Sequence, residues 1–170
     1  MKMNKEGFVA SDETIVRLLH REWVVDGVLQ QTAFELRNGE TYISVNRPAV
    51  ETFDDDVRDF ISTHPSYKVA PFSHDYNRAK LLVSEVRDIK VEFGSERVDI
   101  EVAVEPRASH VKSHAGIFVH LEGKNIKGGQ KTSVAVRDGR VISSAAILQK
   151  VRWTLLRLAQ VESSSLQESQ

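Results

Sequence analysis

The residues with the richest potential chemistry lie between Arg107 and His120. His110, His114 and His120 are the densest histidine cluster in the chain. On a helix, His110 and His114 would share one face at i, i+4, as a metal-binding pair requires, with His120 or a carboxylate as third ligand. Pro106, Ser109 and the apolar run after Ala115 instead place them on a loop and a strand, and no H-E-x-x-H pattern is present. No metal site is therefore expected. Arg107 precedes His114 by seven residues, a separation similar to the Arg–His pair of certain RNA-cleaving toxins. Those are all-helical and this pattern is not, so a surface arginine is the simpler reading.

Two other stretches hold reactive residue types. Ser73-His74-Asp75 supplies nucleophile, base and acid consecutively. Triads are assembled across a fold rather than along a chain, so a Ser or Asx turn is expected. Gly123, Gly128 and Gly129 lie among Lys124, Lys127 and Lys131. The composition is that of a phosphate cradle, but the spacing is not G-x-x-x-x-G-K-[ST]. A basic hairpin loop over 124–131, able to touch an acidic partner or an RNA backbone, fits better.

Composition narrows the classes further. The chain has 170 residues, 41% apolar and 28% charged, with net charge −1. That suits one domain with a real core and gives no global field toward nucleic acid or an anionic membrane. Cysteine is absent, which removes disulfides, thiolate zinc sites, iron–sulfur clusters and cysteine nucleophiles. The first ten residues hold Lys2 and Lys5 but no apolar core, so no signal peptide is expected. Apolar runs are too short to span a membrane. A cytoplasmic protein without cofactor is the expectation.

The elements that must position these residues follow from periodicity. Residues 1–10 read as a tail, 11–161 as one domain and 162–170 as a disordered serine-rich tail. Ser11 as N-cap, with Ile15, Leu18, Leu19 and Trp23 at helical spacing, predicts a helix over 12–21. Val24-Val25-Asp26-Gly27 predicts a strand and turn. Strands are expected over 28–36 and 41–46 around Asn38-Gly39. Asp54, Asp55 and Asp56 open a helix that Pro65 closes, and 64–78 reads as irregular.

The clearest pattern surrounds Gly94-Ser95. Val98, Ile100, Val102 and Val104 alternate with polar residues, as do Ile89, Val91 and Phe93 upstream. A type II′ turn with glycine first pairs Glu92 with Arg97, Val91 with Val98, Lys90 with Asp99 and Ile89 with Ile100. A bulge is inferred near 86–88. Strands follow at 117–121 and 134–136, then a helix over about 144–161 whose apolar stripe is Leu148, Val151, Leu155, Leu158 and Ala159. Together these predict an α+β fold: an antiparallel sheet built from hairpins, with helices, including a C-terminal one, packed on one face.

Arg17-Leu18-Leu19-His20-Arg21-Glu22-Trp23, then Val25-Asp26-Gly27, Ala33-Phe34 and Ile43-Ser44-Val45, resemble an early arginine, V-x-D-G turn, A-F pair and L-S-V strand in a group of small uncharacterised bacterial proteins. Ser113-His114-Ala115-Gly116-Ile117 is similar to an A-H-A-x-I stretch in that group. The resemblance covers residues 17–117 and implies no activity.

No catalytic or cofactor motif stands out, so the expected function is a non-enzymatic binding or accessory module acting through a protein partner or self-association. Trp153, about 140° around the C-terminal helix from Leu148 and beside Lys150 and Arg157, has the composition of an interface anchor. A neighbouring segment folding over Trp153 is the competing reading. The alternatives are a histidine-assisted or metal-dependent hydrolase using His110, His114 or His74, and weak nucleic-acid binding through the 124–131 loop.

Overall fold

The computed structural model describes residues 7–166. Its main sheet is antiparallel throughout and has seven strands. In chain order these are β1 (Thr14–Leu19), β4 (Ile43–Asn46), β5 (Asp75–Leu82), β8 (Ile100–Pro106), β9 (His114–Leu121), β10 (Lys124–Asn125) and β13 (Gln160–Ser165). Across the sheet the order is β8, β9, β4, β1, β5, β13, and β10 continues along the β4 edge of β9. Three small hairpins flank it: β2 (Val24–Val25) with β3 (Val28–Leu29), β6 (Val91–Phe93) with β7 (Glu96–Val98), and β11 (Ser133–Ala135) with β12 (Val141–Ser143).

The sheet is covered on both faces. The larger core, including Ile15, Leu19, Val45, Ile117 and Val119, packs against α2 (Val83–Arg87) and α3 (Ser144–Leu158). The smaller core joins Val16, Leu18 and Tyr76 to Phe53, Val57 and Ile61 of α1 (Phe53–Thr63). Those three helix residues recur at i, i+4, i+8, one apolar stripe. The α+β class, the antiparallel sheet and the C-terminal helix are as the sequence predicts, with the helices divided between the two faces.

Several local expectations are corrected. Residues 14–19 form a strand, not a helix: β1 is buried from both sides, so its apolar residues come in doublets, Ile15-Val16 and Leu18-Leu19, that mimic helical spacing. Residues 31–34 form a 3₁₀ turn in place of the long strand expected over 28–36. The bulge near 86–88 is the end of α2. Residues 162–165, expected in the disordered tail, belong to β13, whose whole length pairs with β5 and whose Glu162 bonds Arg78 at 2.7 Å. Val9, placed in the N-terminal tail, is buried at 1% exposure; residues 1–6 and 167–170 lie outside the described residues.

The Gly94-Ser95 hairpin has the predicted register, with Val91 opposite Val98 and Glu92 opposite Arg97. Gly94 has φ +66°, as the first turn position requires. The ladder stops at Val98, because from Ile100 the chain pairs with β9, so Lys90–Asp99 and Ile89–Ile100 do not extend it. Among the described residues no helix is long and apolar enough to cross a membrane.

Candidate functional site

β1 and β4 pair at one position, Val16 opposite Asn46, and then part. Had the register continued, Leu18 would lie opposite Ser44. Arg17 occupies the split instead. Its Nε donates to the Ala33 carbonyl and its Nη1 to the Ser44 carbonyl at 2.7 Å. The 3₁₀ turn at Gln31–Phe34 is what delivers the Ala33 carbonyl to this point. The Arg17 guanidinium also lies 5.0 Å from the centre of the Trp23 ring. Burial pushes its pKa down to about 10, which leaves it cationic at neutral pH.

A cavity of ≈ 590 Å³ opens at this split. One wall is aromatic: Trp23 meets Tyr67 edge-on at 5.8 Å, and Tyr67 meets Phe60 at 4.9 Å. α1 carries Phe60 there, and the 3₁₀ turn Pro65–Tyr67 carries Tyr67. The other wall is polar. Ser44 on β4 and His114 on β9 sit on neighbouring strands, with Oγ and Nε2 2.8 Å apart. Next to them Asn46 Nδ2 donates to Ser113 Oγ at 3.0 Å. The Ser113 N–H donates to Asp56 Oδ2 at 3.0 Å, which also accepts from Thr52 Oγ1 at 2.9 Å. The first-turn acid of α1 thus anchors the approach to β9.

Arg107, the surface arginine of the sequence reading, is brought to His114. Its N–H donates to the His114 carbonyl at 3.0 Å, and its guanidinium stacks 4.4 Å from the Tyr42 ring centre. Burial first, and the Arg107 charge second, hold the His114 imidazole below its ordinary pKa. A base in a Ser–His pair must accept a proton and hold the resulting charge. Here the nearby ion is a cation, and no carboxylate bonds His114 among the described residues. The pair is arranged for hydrogen bonding to a ligand more than for nucleophilic attack.

Comparison with known proteins returned nothing. No family model, curated protein or solved structure matches the chain.

The other sequence candidates separate. His110 reaches the same cavity from an exposed loop, whereas His120 lies further along β9 against Phe118, ring centres 6.3 Å apart. Among the described residues no group of three or more His, Asp or Glu is placed to hold a metal ion. In Ser73-His74-Asp75 the Ser73 Oγ accepts from the Asp75 N–H at 3.0 Å, the turn contact expected of it. The lysine loop docks on the 37–40 turn: Gly128 N–H donates to Glu40 O and Gly39 N–H to Gly128 O, both at 2.9 Å. Those amides are therefore not turned to a phosphate.

Trp153 is 39% exposed on α3, on the side away from buried Ile147, Val151 and Leu155. Lys150 reaches back to the Phe93 ring at 5.1 Å, and Arg157 bonds Thr154 Oγ1 at 3.4 Å. The cavity residues that sequence reasoning missed are Trp23, Tyr42, Phe60 and Tyr67. Each carries an aromatic ring from a different turn, helix or strand margin, so no spacing links them.

Proposed function

We propose that the chain is a non-enzymatic binding module that holds a small molecule in the cavity between β1 and β4. The observation that carries this reading is the split itself. A sheet opens beside a half-buried, fixed guanidinium, and the opening holds ≈ 590 Å³ between an aromatic wall and a hydrogen-bonding one. Specific ligand sites combine apolar walls with a few convergent polar groups in about 300–1,000 Å³. Arg17, Ala33, Ser44 and His114, the residues of the short strings noted in the sequence, all meet here.

A ligand-observed NMR screen of small aromatic and aliphatic fragments tests it. Binding fragments should perturb the Trp23 indole and the His114 ring and be displaced by one another. Fragments that bind only away from these signals would place the function elsewhere. A hydrolase is the competing class, supported by the 2.8 Å Ser44–His114 contact. A serine-directed fluorophosphonate should leave Ser44 unlabelled; stoichiometric labelling lost in His114→Ala would establish hydrolysis instead. Association with a protein partner through Trp153 is the second reading, favoured by the 39% exposure of that ring.

A further inference from the structure

We propose that the ligand of this cavity carries a single planar carboxylate, held by Arg17 and Ser44, on a flat apolar body that lies against Phe60 and Tyr67. The inference rests on the reading of the cavity as a ligand site and names the chemistry the site selects.

The guanidinium comes first. Two of the three Arg17 nitrogens are committed to carbonyls, and the face of the group is set over Trp23. Its plane is therefore fixed before any ligand arrives. Nη2 makes no hydrogen bond among the described residues. A fixed donor with one free nitrogen can take one oxygen of an oxyanion, so the second oxygen needs another donor close by. Arg17 Nη1 already touches the Ser44 carbonyl, so the Ser44 side chain is the adjacent polar group. The Ser44 Oγ and His114 Nε2 share one hydrogen bond. With the imidazole neutral and protonated on Nε2, that bond leaves the serine hydroxyl hydrogen free to donate to a second carboxylate oxygen.

The charge of the wall then sets a limit. Arg17 and Arg37 stand against Glu35, Glu40, Asp56 and Asp59. Asp56 is engaged by Ser113 and Thr52, Glu40 by the Arg37 N–H at 2.7 Å, and Glu35 lies 3.9 Å from Arg152. These contacts fix Asp56, Glu40 and Glu35 in place. Two cations facing four carboxylates make the lining negative as a whole, so an anion is held only where it touches the Arg17 guanidinium, and a doubly charged one is repelled more strongly than a singly charged one. Phosphate monoesters, which bring a second charge, and nucleic acid, which brings a run of them, are disfavoured. Arg17 lies over the Trp23 ring and His64 stacks on one face of Phe60 at 4.3 Å, so the parts of Phe60 and Tyr67 that line the cavity remain for an apolar body.

Four probes of one shape separate the possibilities: benzoate, benzamide, phenyl phosphate and benzylammonium, titrated near neutral pH and followed by ¹H–¹⁵N NMR. Benzoate should shift the Trp23 indole and Ser44 amide signals, with benzamide and phenyl phosphate about tenfold weaker or more. Ser44→Ala keeps the carbonyl that Arg17 needs and should weaken benzoate by about fivefold with an otherwise unchanged spectrum. Arg17→Lys, checked for folding in the same spectra, should abolish the preference for benzoate over benzamide. Tighter binding of benzylammonium or phenyl phosphate would overturn the carboxylate inference while leaving the cavity a ligand site, and so would benzoate binding unchanged in both variants. No perturbation by any probe would overturn both.

Discussion

Ser44 Oγ and His114 Nε2 lie 2.8 Å apart across the joint between β4 and β9, and the Arg107 N–H donates to the His114 carbonyl at 3.0 Å. Burial, then Arg107, lowers the His114 pKa from 6.5. The unfolded chain therefore takes up a proton at a higher pH than the folded one. This histidine's contribution to stability is complete above about pH 6.5 and is lost as pH falls through the lower folded value. Following the His114 ring by NMR should give a midpoint below 6.5. Arg107→Gln should move it part of the way back, and His114→Gln should flatten the acid limb of the stability curve. A midpoint at or above the ordinary value would show that the imidazole is solvated and not held as described.

Glu13 and Arg47 form a buried bidentate pair, with Glu13 oxygens 2.9 Å from Arg47 Nε and from Nη2. Arg47 is fully buried at 0% exposure and also donates through Nη2 to the Phe8 carbonyl at 2.7 Å. Its N–H bonds Ser113 O, so the pair ties the start of β1 to the end of β4 and to the approach to β9. Glu13→Ala removes this buried carboxylate from beside Arg47 and should cost about 3–5 kcal/mol in urea unfolding. Replacing both partners by leucine and methionine should recover most of that loss. A single-mutant cost below about 1 kcal/mol would mean the pair is solvated.

Gly128 sits where a side chain cannot. A Cβ there would lie 2.0 Å from the Arg37 carbonyl oxygen and 2.5 Å from that of Leu36. Gly128→Ala must push the lysine loop off the 37–40 turn, at about 1–3 kcal/mol or more. Gly123→Ala meets open space but carries φ +79°, so it should cost roughly 1–2 kcal/mol through backbone strain alone. Only the Gly128 variant should also shift the amide signals of Arg37, Glu40 and Tyr42. Equal and purely local effects of the two would show that the loop is not docked.

What could be read from the sequence divides by burial. Val98, Ile100, Val102 and Val104 are buried while Arg97, Asp99 and Glu101 face out, so a one-sided strand alternates and can be seen. β1 is covered on both sides, and its doublets carry no period of two. β13 offers the opposite difficulty: a serine-rich edge strand held by backbone ladders to β5 and the Arg78–Glu162 pair has no apolar signature. For the site, Arg17, Ser44 and His114 stood out as residues within short strings, but their meeting depends on where β1 and β4 part. That point is set by the Arg17 contacts to Ala33 and Ser44, which join positions far apart in the chain.

The last expectation concerns α3. Counting about 100° per residue from Ile147, Trp153 falls roughly 120° away from Ile147 and about 160° from Leu155, on the side opposite the core. Its 39% exposure agrees with that placement. Lys150 leans toward Phe93 and Arg157 toward Thr154, so the indole, more than the two cations, is the group left for a second molecule. An exposed residue outside the core changes stability by about 0.5 kcal/mol or less on truncation. Trp153→Ala should therefore leave the urea midpoint nearly unchanged. If a second copy of the chain uses this face, the same change should shift sedimentation toward monomer at concentrations where the parent protein self-associates, because a buried aromatic anchor contributes about 2 kcal/mol or more to an interface. A substantial fall in the midpoint with unaltered sedimentation would instead make Trp153 part of the packing of α3.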